Sequence, residues 1–247
     1  MPLPALDLFH IDVLRLHDCA SADHLHAAVT RLSESLGYPY FVYALREAGR
    51  FAQSPVHMLD GYPPGWVARY AHQDFYGADP VLRQCLRTTR PVPWHRLVPF
   101  DGDEAANAFM AQARAHGLAS GVSVSLHTGD GEVGVFSLAG PADDAAARVQ
   151  AEDAAPYAQV MAGHLHDALR RVSVPKETVD LSERERQCLR WAADGKTSWE
   201  IGTLLDISER TVNFHLNGVM EKLGVFNRQH AIARAVLLGL ITPAPFV

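Results

Sequence analysis

Two capping boxes in succession, Ser182-x-x-Glu185 and Thr197-x-x-Glu200, leave the end of this chain few folding options. In each, a hydroxyl can accept from the third helical N–H while the glutamate returns to the cap N–H. Two helix starts this close force short helices: one through Ala193, stopped at Gly195, and one to Leu205. Ser208 can cap a third helix to Leu223, ended by Gly224, and Asn227 a fourth to about Leu238. The second and third, joined only by Asp206-Ile207-Ser208, predict a helix-turn-helix.

The third helix supplies a reason for that motif. At ~100° per residue, Val212, Leu216, Val219 and Leu223 share one arc and form its core face. Arg210, Asn213, Phe214, Asn217 and Glu221 lie opposite. An ordinary amphipathic helix has the same inner face but little reason to show a phenylalanine between two asparagines outside. Asparagine can pair with adenine in the major groove, and phenylalanine can meet a thymine methyl. Arg210, Lys222 and Arg228 are then candidate phosphate contacts. Charge argues the other way. The net charge is −6, and from Asp180 onward positive and negative residues cancel, so the tail lacks the basic face that phosphate neutralisation favours. Glu221 has no place in the scheme.

The run Leu181-Ser182-Glu183-Arg184-Glu185-Arg186-Gln187-Cys188-Leu189, then Ala192 to Thr197, resembles the opening of the LuxR-family DNA-binding domain. Thr211-Val212-Asn213-Phe214-His215, Lys222-Leu223-Gly224 and Arg228 resemble its recognition helix and the segment after that helix. The resemblance puts Thr211, Asn213, Phe214 and Asn217 at the groove, leaves His215 as packing, and implies a double-stranded DNA partner.

Before Asp180 the pattern is mixed. The stretches 21–36, 63–72, 101–116 and 143–172 read as helices, as does a short one after Pro80, with Pro156 expected to break or kink the last. Residues 38–45, 122–126 and 132–138 read as strands, with a hairpin signal at Gly129-Asp130-Gly131. The expected fold class is α+β: an N-terminal α/β/α sandwich on an antiparallel sheet, GAF/PAS-like, followed by an all-α four-helix domain. The expected domains are 1–172, a linker 173–179 around Pro175, and 180–247.

The set Trp66-x3-Tyr70-x8-Asp79-Pro80, then Trp94 and Gly121, is similar to the signature of the acyl-homoserine-lactone sensor domain of LuxR-type regulators. Singly these residues have ordinary roles. Asp79-Pro80 is a helix cap with proline at the first position, and Trp66 and Tyr70 make a core stripe. Jointly they suit a lactone. The Trp66 indole can only donate, fitting a ring carbonyl, and an ionised Asp79 can only accept, fitting an amide N–H. The resemblance places Tyr62 and Ser137 at the acyl carbonyl and Val81 and Trp94 in the wall. It implies an N-acyl-homoserine lactone as ligand with no cofactor, an inverted-repeat operator, a homodimer joined through 143–172 and RNA polymerase as a further partner. Relatives that answer plant compounds tend to replace the residues matching Trp66 and Tyr70, and this chain keeps them. It departs at Ser125, where the family often has proline. Residues 38–45 and 51–58 should shape the tail end of the pocket.

Other functions find little footing. Gly195-Lys196-Thr197 lacks the earlier glycine of a phosphate loop, since position 190 is arginine. A lactone hydrolase would need G-x-S-x-G or a metal cluster, and neither spacing occurs, so the expectation is no enzyme. Three scattered cysteines argue against a disulfide framework. The 13 histidines suggest metal, yet the pairs 24/26 and 164/166 do not share a helical face, so solvated side chains are expected. No apolar run spans a bilayer and the start lacks a leader pattern, which predicts a cytoplasmic protein. The alternative reading is a regulator of the same type that is ligand-independent or answers a non-lactone molecule.

Overall fold

A computed structural model describes residues 6–48, 54–97, 102–129, 131–173 and 179–242. The chain divides into two compact units.

The first unit holds helices α1 (Leu6–Leu14), α2 (Ala22–Ser35), α3 (Trp66–His72), α4 (Pro80–Cys85), α5 (Glu104–Ala115) and α6 (Ala145–Ser173). It also holds strands β1 (Tyr40–Arg46), β2 (Val56–Gly61), β3 (Val92–Pro93), β4 (Ser120–His127) and β5 (Val133–Gly140). The sheet is antiparallel in the order β2-β1-β5-β4-β3. Period-two alternation sorts its side chains. Phe41, Tyr43 and Leu45 of β1, Val122 and Val124 of β4, and Phe136 and Leu138 of β5 pack in one core with α1, α2 and α6. Val42, Ala44, Val135 and Ser137 face the opposite layer, built from α3, α4 and α5. The expected α/β/α sandwich is therefore present. Strand β2 and helix α1 were not read from the sequence. Helix α1 carries apolar residues on both sides, Phe9 and Val13 buried but Leu8 and Ile11 exposed, so it has no clean amphipathic stripe to detect.

Two expectations change. Of the break or kink expected at Pro156, the break does not occur, because α6 is continuous from 145 to 173. The proline is exposed, so the Glu152 carbonyl that loses its donor can turn to water, while Ala151, Ala154, Ala158 and Met161 on the opposite side hold the helix to the sheet. His166 is not solvated. It is 3% exposed, and its Nδ1 shares a hydrogen bond of 2.9 Å with the Tyr43 hydroxyl. His164 bonds His17 at 3.0 Å, and His26 bonds the Asp60 carbonyl.

The second unit contains α7 (Glu183–Ala193), α8 (Ser198–Leu205), α9 (Glu209–Leu223) and α10 (Arg228–Leu237). Both capping boxes form, and Ser208 and Asn227 cap α9 and α10 as expected. The turn between α8 and α9 is tight. A Cβ at Gly202 would lie 2.7 Å from the Ile207 carbonyl oxygen, so only glycine admits that approach. Most of the linker, residues 174–178, lies outside the described residues, as do Phe51, Ala52, Gln53, Asp101 and Asp130.

Glu185 ties the ends of this unit together. Its carboxylate accepts from the Ser182 N–H at 2.7 Å and from Lys222 Nζ at 2.7 Å. Burial would raise its pKa, but the donors from Lys222 and Ser182 outweigh burial and hold it below the usual glutamate range. A depressed folded value means stability present above the unfolded pKa and lost as pH falls through the folded one. Glu185→Ala should cost about 2 kcal/mol at neutral pH, from a lost cap and ion pair. In urea unfolding followed by circular dichroism, the gap to wild type should begin to narrow as the pH drops below the ordinary glutamate value of about 4 and close only below the lowered folded value.

Candidate functional site

A cavity of about 370 Å³ lies in the first unit between the sheet and α3–α5. Tyr62, Trp66, Tyr70, Asp79, Val81, Trp94 and Ser137 all line it. Residues separated by 75 positions in the chain thus converge on one space, most of it apolar, with a few polar groups at one end.

Asp79 is at the centre of that end. Its Oδ1 accepts the N–H groups of Val81 (2.8 Å) and Leu82 (3.0 Å), capping α4 with Pro80 at the first helical position. Its Oδ2 accepts the Tyr70 hydroxyl at 3.0 Å. Cap and cavity therefore use different oxygens, and Oδ2 retains a free lone pair. Burial raises the Asp79 pKa, opposed by hydrogen bonds from Leu82, Tyr70 and Val81 and by the charge of Arg83. Burial and the Asp79 charge push the Tyr70 hydroxyl well above its ordinary value, so it stays a donor.

Trp66 opens α3 and is 3% exposed. Phe75 stacks on it at 6.2 Å, Phe109 tilts against it at 5.9 Å and His116 at 5.0 Å, so its plane is fixed. Among the described residues its indole N–H has no partner. Trp94 is different. Its Nε1–H donates to Ser123 Oγ at 2.9 Å, and Ser123 Oγ lies 2.7 Å from Ser137 Oγ, its register partner across β4 and β5. An indole can only donate, so Ser123 Oγ accepts from Trp94, and either serine can donate across the Ser123–Ser137 contact. Ser137 and Tyr62 line the cavity together, and burial raises the Tyr62 pKa strongly, so its hydroxyl keeps its proton. Gly121 does not line the cavity. It makes room for Trp94, since a Cβ there would sit 3.1 Å from the indole.

Sequence reasoning missed Ser123, Phe75, Phe109 and Met110. The alternation Val122-Ser123-Val124-Ser125 carried the first, because valines on the core side put the serines toward the cavity layer. The aromatic residues come from distant elements and left no spacing to read.

On the second unit, α9 turns Val212, Leu216, Val219 and Leu223 inward, as expected. Arg210, Asn213, Phe214 and Asn217 are exposed, Phe214 at 74%. Ser198 Oγ donates to Asn213 Oδ1 at 2.7 Å, which turns the amide N–H groups of Asn213 outward. Three predicted contacts are already occupied. Thr211 completes the α9 cap, its N–H and hydroxyl bonded to Ser208 Oγ at 3.1 and 2.8 Å. Lys222 pairs with Glu185 and the Asp180 carbonyl. Arg228 donates to the Lys196 carbonyl and to Ser198. Lys222 and Arg228, read as candidate phosphate contacts, thus also brace the unit internally.

A cavity of small-molecule size in an α/β/α layer and a helix-turn-helix with an exposed outer face are the parts of a transcription regulator with a sensor domain. Sequence comparison agrees. The autoinducer-binding domain matches residues 21–169, and the domain of bacterial regulatory proteins of the luxR family matches 179–235. The transcriptional activator VanR of Vibrio anguillarum is 31% identical over 90% of this chain and 93% of its own length. The quorum sensing-dependent transcriptional regulator RpaR of Rhodopseudomonas palustris is 35% identical over 85% of each chain. Escherichia coli SdiA superposes with a TM-score of 0.78 at 27% identity, covering 96% of this chain and 99% of its own, and at 0.76 in its complex with octanoyl-rac-glycerol, again at 27% identity, covering 98% and 100%. The chain belongs to the LuxR family of quorum-sensing transcriptional regulators and is not an enzyme. Among the described residues no helix is long and apolar enough to cross a membrane.

Proposed function

We propose that this protein binds an N-acyl-homoserine lactone in the first-unit cavity and, as a homodimer, an inverted-repeat operator through α9. The observation that carries the reading is the complementarity of the closed end. The unpartnered Trp66 indole suits the lactone carbonyl, the free lone pair of Asp79 Oδ2 suits the amide N–H, and the Tyr62 and Ser137 hydroxyls can donate to the acyl carbonyl. Tyr70, Val81 and Trp94 hold those groups in place. The sensor and dimer domain takes residues 1–172, the linker 173–179 and the DNA-binding domain 180–247. Helix α6 is assigned the dimer contact, and RNA polymerase is the assigned downstream partner.

Pairing the Trp66 indole N–H is worth about 1 kcal/mol, and a ligand that binds the native state alone stabilises the sensor. At a thousandfold excess over Kd the gain is about 4 kcal/mol. Arg210, Asn213, Phe214 and Asn217 read or contact the duplex. Thr211, Lys222 and Arg228 act by fixing the frame from which α9 is presented, and any phosphate contact they make is shared with those internal bonds.

The test is expression and purification with a panel of acyl-homoserine lactones, scored by soluble yield, thermal midpoint and operator binding. A lactone that raises all three supports the reading. A protein equally stable and equally bound to DNA with and without every lactone overturns it. The octanoyl-rac-glycerol complex of SdiA favours one second reading, a non-lactone acyl ligand. A midpoint shift with such an ester and none with lactones selects it. Asn213→Ala should weaken operator binding by about tenfold or more, since a bidentate base contact is worth ~1–3 kcal/mol, without moving the lactone-induced midpoint shift.

A further inference from the structure

The cavity is closed at the polar end and open at the other. Trp66, Trp94, Met110 and Ser137 are nearly inaccessible, whereas Arg46, Val56, Met58, Tyr76 and Leu86 line the same space and are exposed. The sheet register gives the axis between the two ends. Ser137 pairs with Val42, Val135 with Ala44, and Val133 with Arg46, while Ala44 and Arg46 pair on the other side with Met58 and Val56. At ~3.3 Å per residue the run from Ser137 to Val133 covers ~13 Å. Along it the wall is Ala44, Val135 and Met58, then Arg46 stands at the far mouth between Val56 and Val133. Arg46 and Asp79 are the charged residues of the lining, one at each end. Among the described residues Arg46 has no hydrogen-bond or ion-pair partner.

We propose that this mouth selects a lactone whose long acyl chain ends in a carboxylate held by Arg46, an extension that rests on the lactone reading above. A guanidinium offers only donors, in a planar fork that matches a carboxylate. The methylenes of such a chain cover Met58 and Val56 on the way, apolar surface that is otherwise left to water. A methyl-ended chain would instead finish beside a cation it cannot pair.

The experiment uses the full chain and two ligands of equal length, N-dodecanoyl-homoserine lactone and its analogue carboxylated at the terminal carbon. Affinities are measured at low and high salt for wild type, Arg46→Leu and Arg46→Gln. The carboxylated ligand should bind about fivefold more tightly to wild type, the size of a well-placed exposed ion pair. The preference should shrink at high salt, vanish in Arg46→Gln and reverse in Arg46→Leu. Arg46 is exposed at a strand end, so both variants should fold, and Gln keeps the length if Leu does not. Equal or tighter binding of the methyl-ended lactone to wild type overturns the proposal, as does a preference that survives both substitutions. If the methyl-ended lactone binds and its binding needs Asp79, only the role of Arg46 has failed. If neither lactone binds, the lactone reading has failed with it.

Discussion

Asp79→Asn should weaken lactone binding by about a hundredfold while leaving the ligand-free protein at least as stable as wild type. The two effects have opposite signs because the two carboxylate oxygens do different work. The asparagine carbonyl can replace Oδ1 and keep the bonds from Val81 and Leu82, so α4 stays capped. Its amide then takes the place of Oδ2, where it can donate to the Tyr70 oxygen. The cost of a buried charge is removed. What the ligand meets has changed from an acceptor to a donor, and two opposed N–H groups in a closed site forfeit more than the single bond lost, about 2–3 kcal/mol. The pH dependence stems from the raised Asp79 pKa. A raised folded value gives stability that is full below the unfolded pKa and is lost as pH rises through the folded one. Wild type and Asp79→Asn should therefore have similar ligand-free midpoints in acid, with the variant gaining relative to wild type as pH rises. Scanning calorimetry with and without lactone across that range reads both effects. If the variant instead loses the same stability with and without ligand, Asp79 is a helix cap and nothing more.

The same residue shows what was legible in the sequence. Asp79-Pro80 signals a cap whatever else it does, so local chemistry fixed its backbone role but left Oδ2 undecided. Only the Tyr70 contact, nine residues back, separates the two roles. The second unit was readable almost completely, because hydroxyl-x-x-glutamate boxes and cap residues act within one helical turn and the structure uses each of them locally. The first unit was less so. Residues 56–61 carry His57 and Asp60 among apolar neighbours, and as an edge strand β2 is only half covered, so its alternation is blurred. His166 looked like a surface residue because its partner, Tyr43, lies on β1 across the core. The internal partners of Lys222 and Arg228 were hidden for the same reason: Glu185 and the Lys196 carbonyl reach them only after the helices fold together. Local signals are written in neighbouring residues, and tertiary hydrogen bonds are not.

Gly121→Ala should cost about 3 kcal/mol or more and disable the sensor, although it adds one methyl group. Gly121 pairs with Ala139 across β4 and β5. A Cβ there would stand 2.2 Å from the Leu138 carbonyl oxygen, a backbone atom that cannot swing aside, and 3.1 Å from the Trp94 indole. Relief requires either that the two strands part or that Trp94 is pushed off its seat. Parting the strands disturbs the Ser123–Ser137 pair two residues on, and moving Trp94 withdraws the donor that holds Ser123 beside Ser137. Both routes end at Ser137, which lines the cavity proposed for the ligand, so stability and ligand response should fall together. Gly163→Ala is the matched control. Gly163 lies within α6 with open space where its Cβ would be, and the same substitution there should stabilise the chain by up to about 1 kcal/mol through helix propensity. Midpoints and lactone shifts of the two variants, measured side by side, separate a methyl group that meets backbone from one that meets none. A Gly121→Ala protein that keeps its midpoint and still responds to lactone would mean that the close approach relaxes freely and that the seat of Trp94 is set elsewhere. A loss confined to ligand response, with the midpoint intact, would place the relief at Trp94 rather than between the strands.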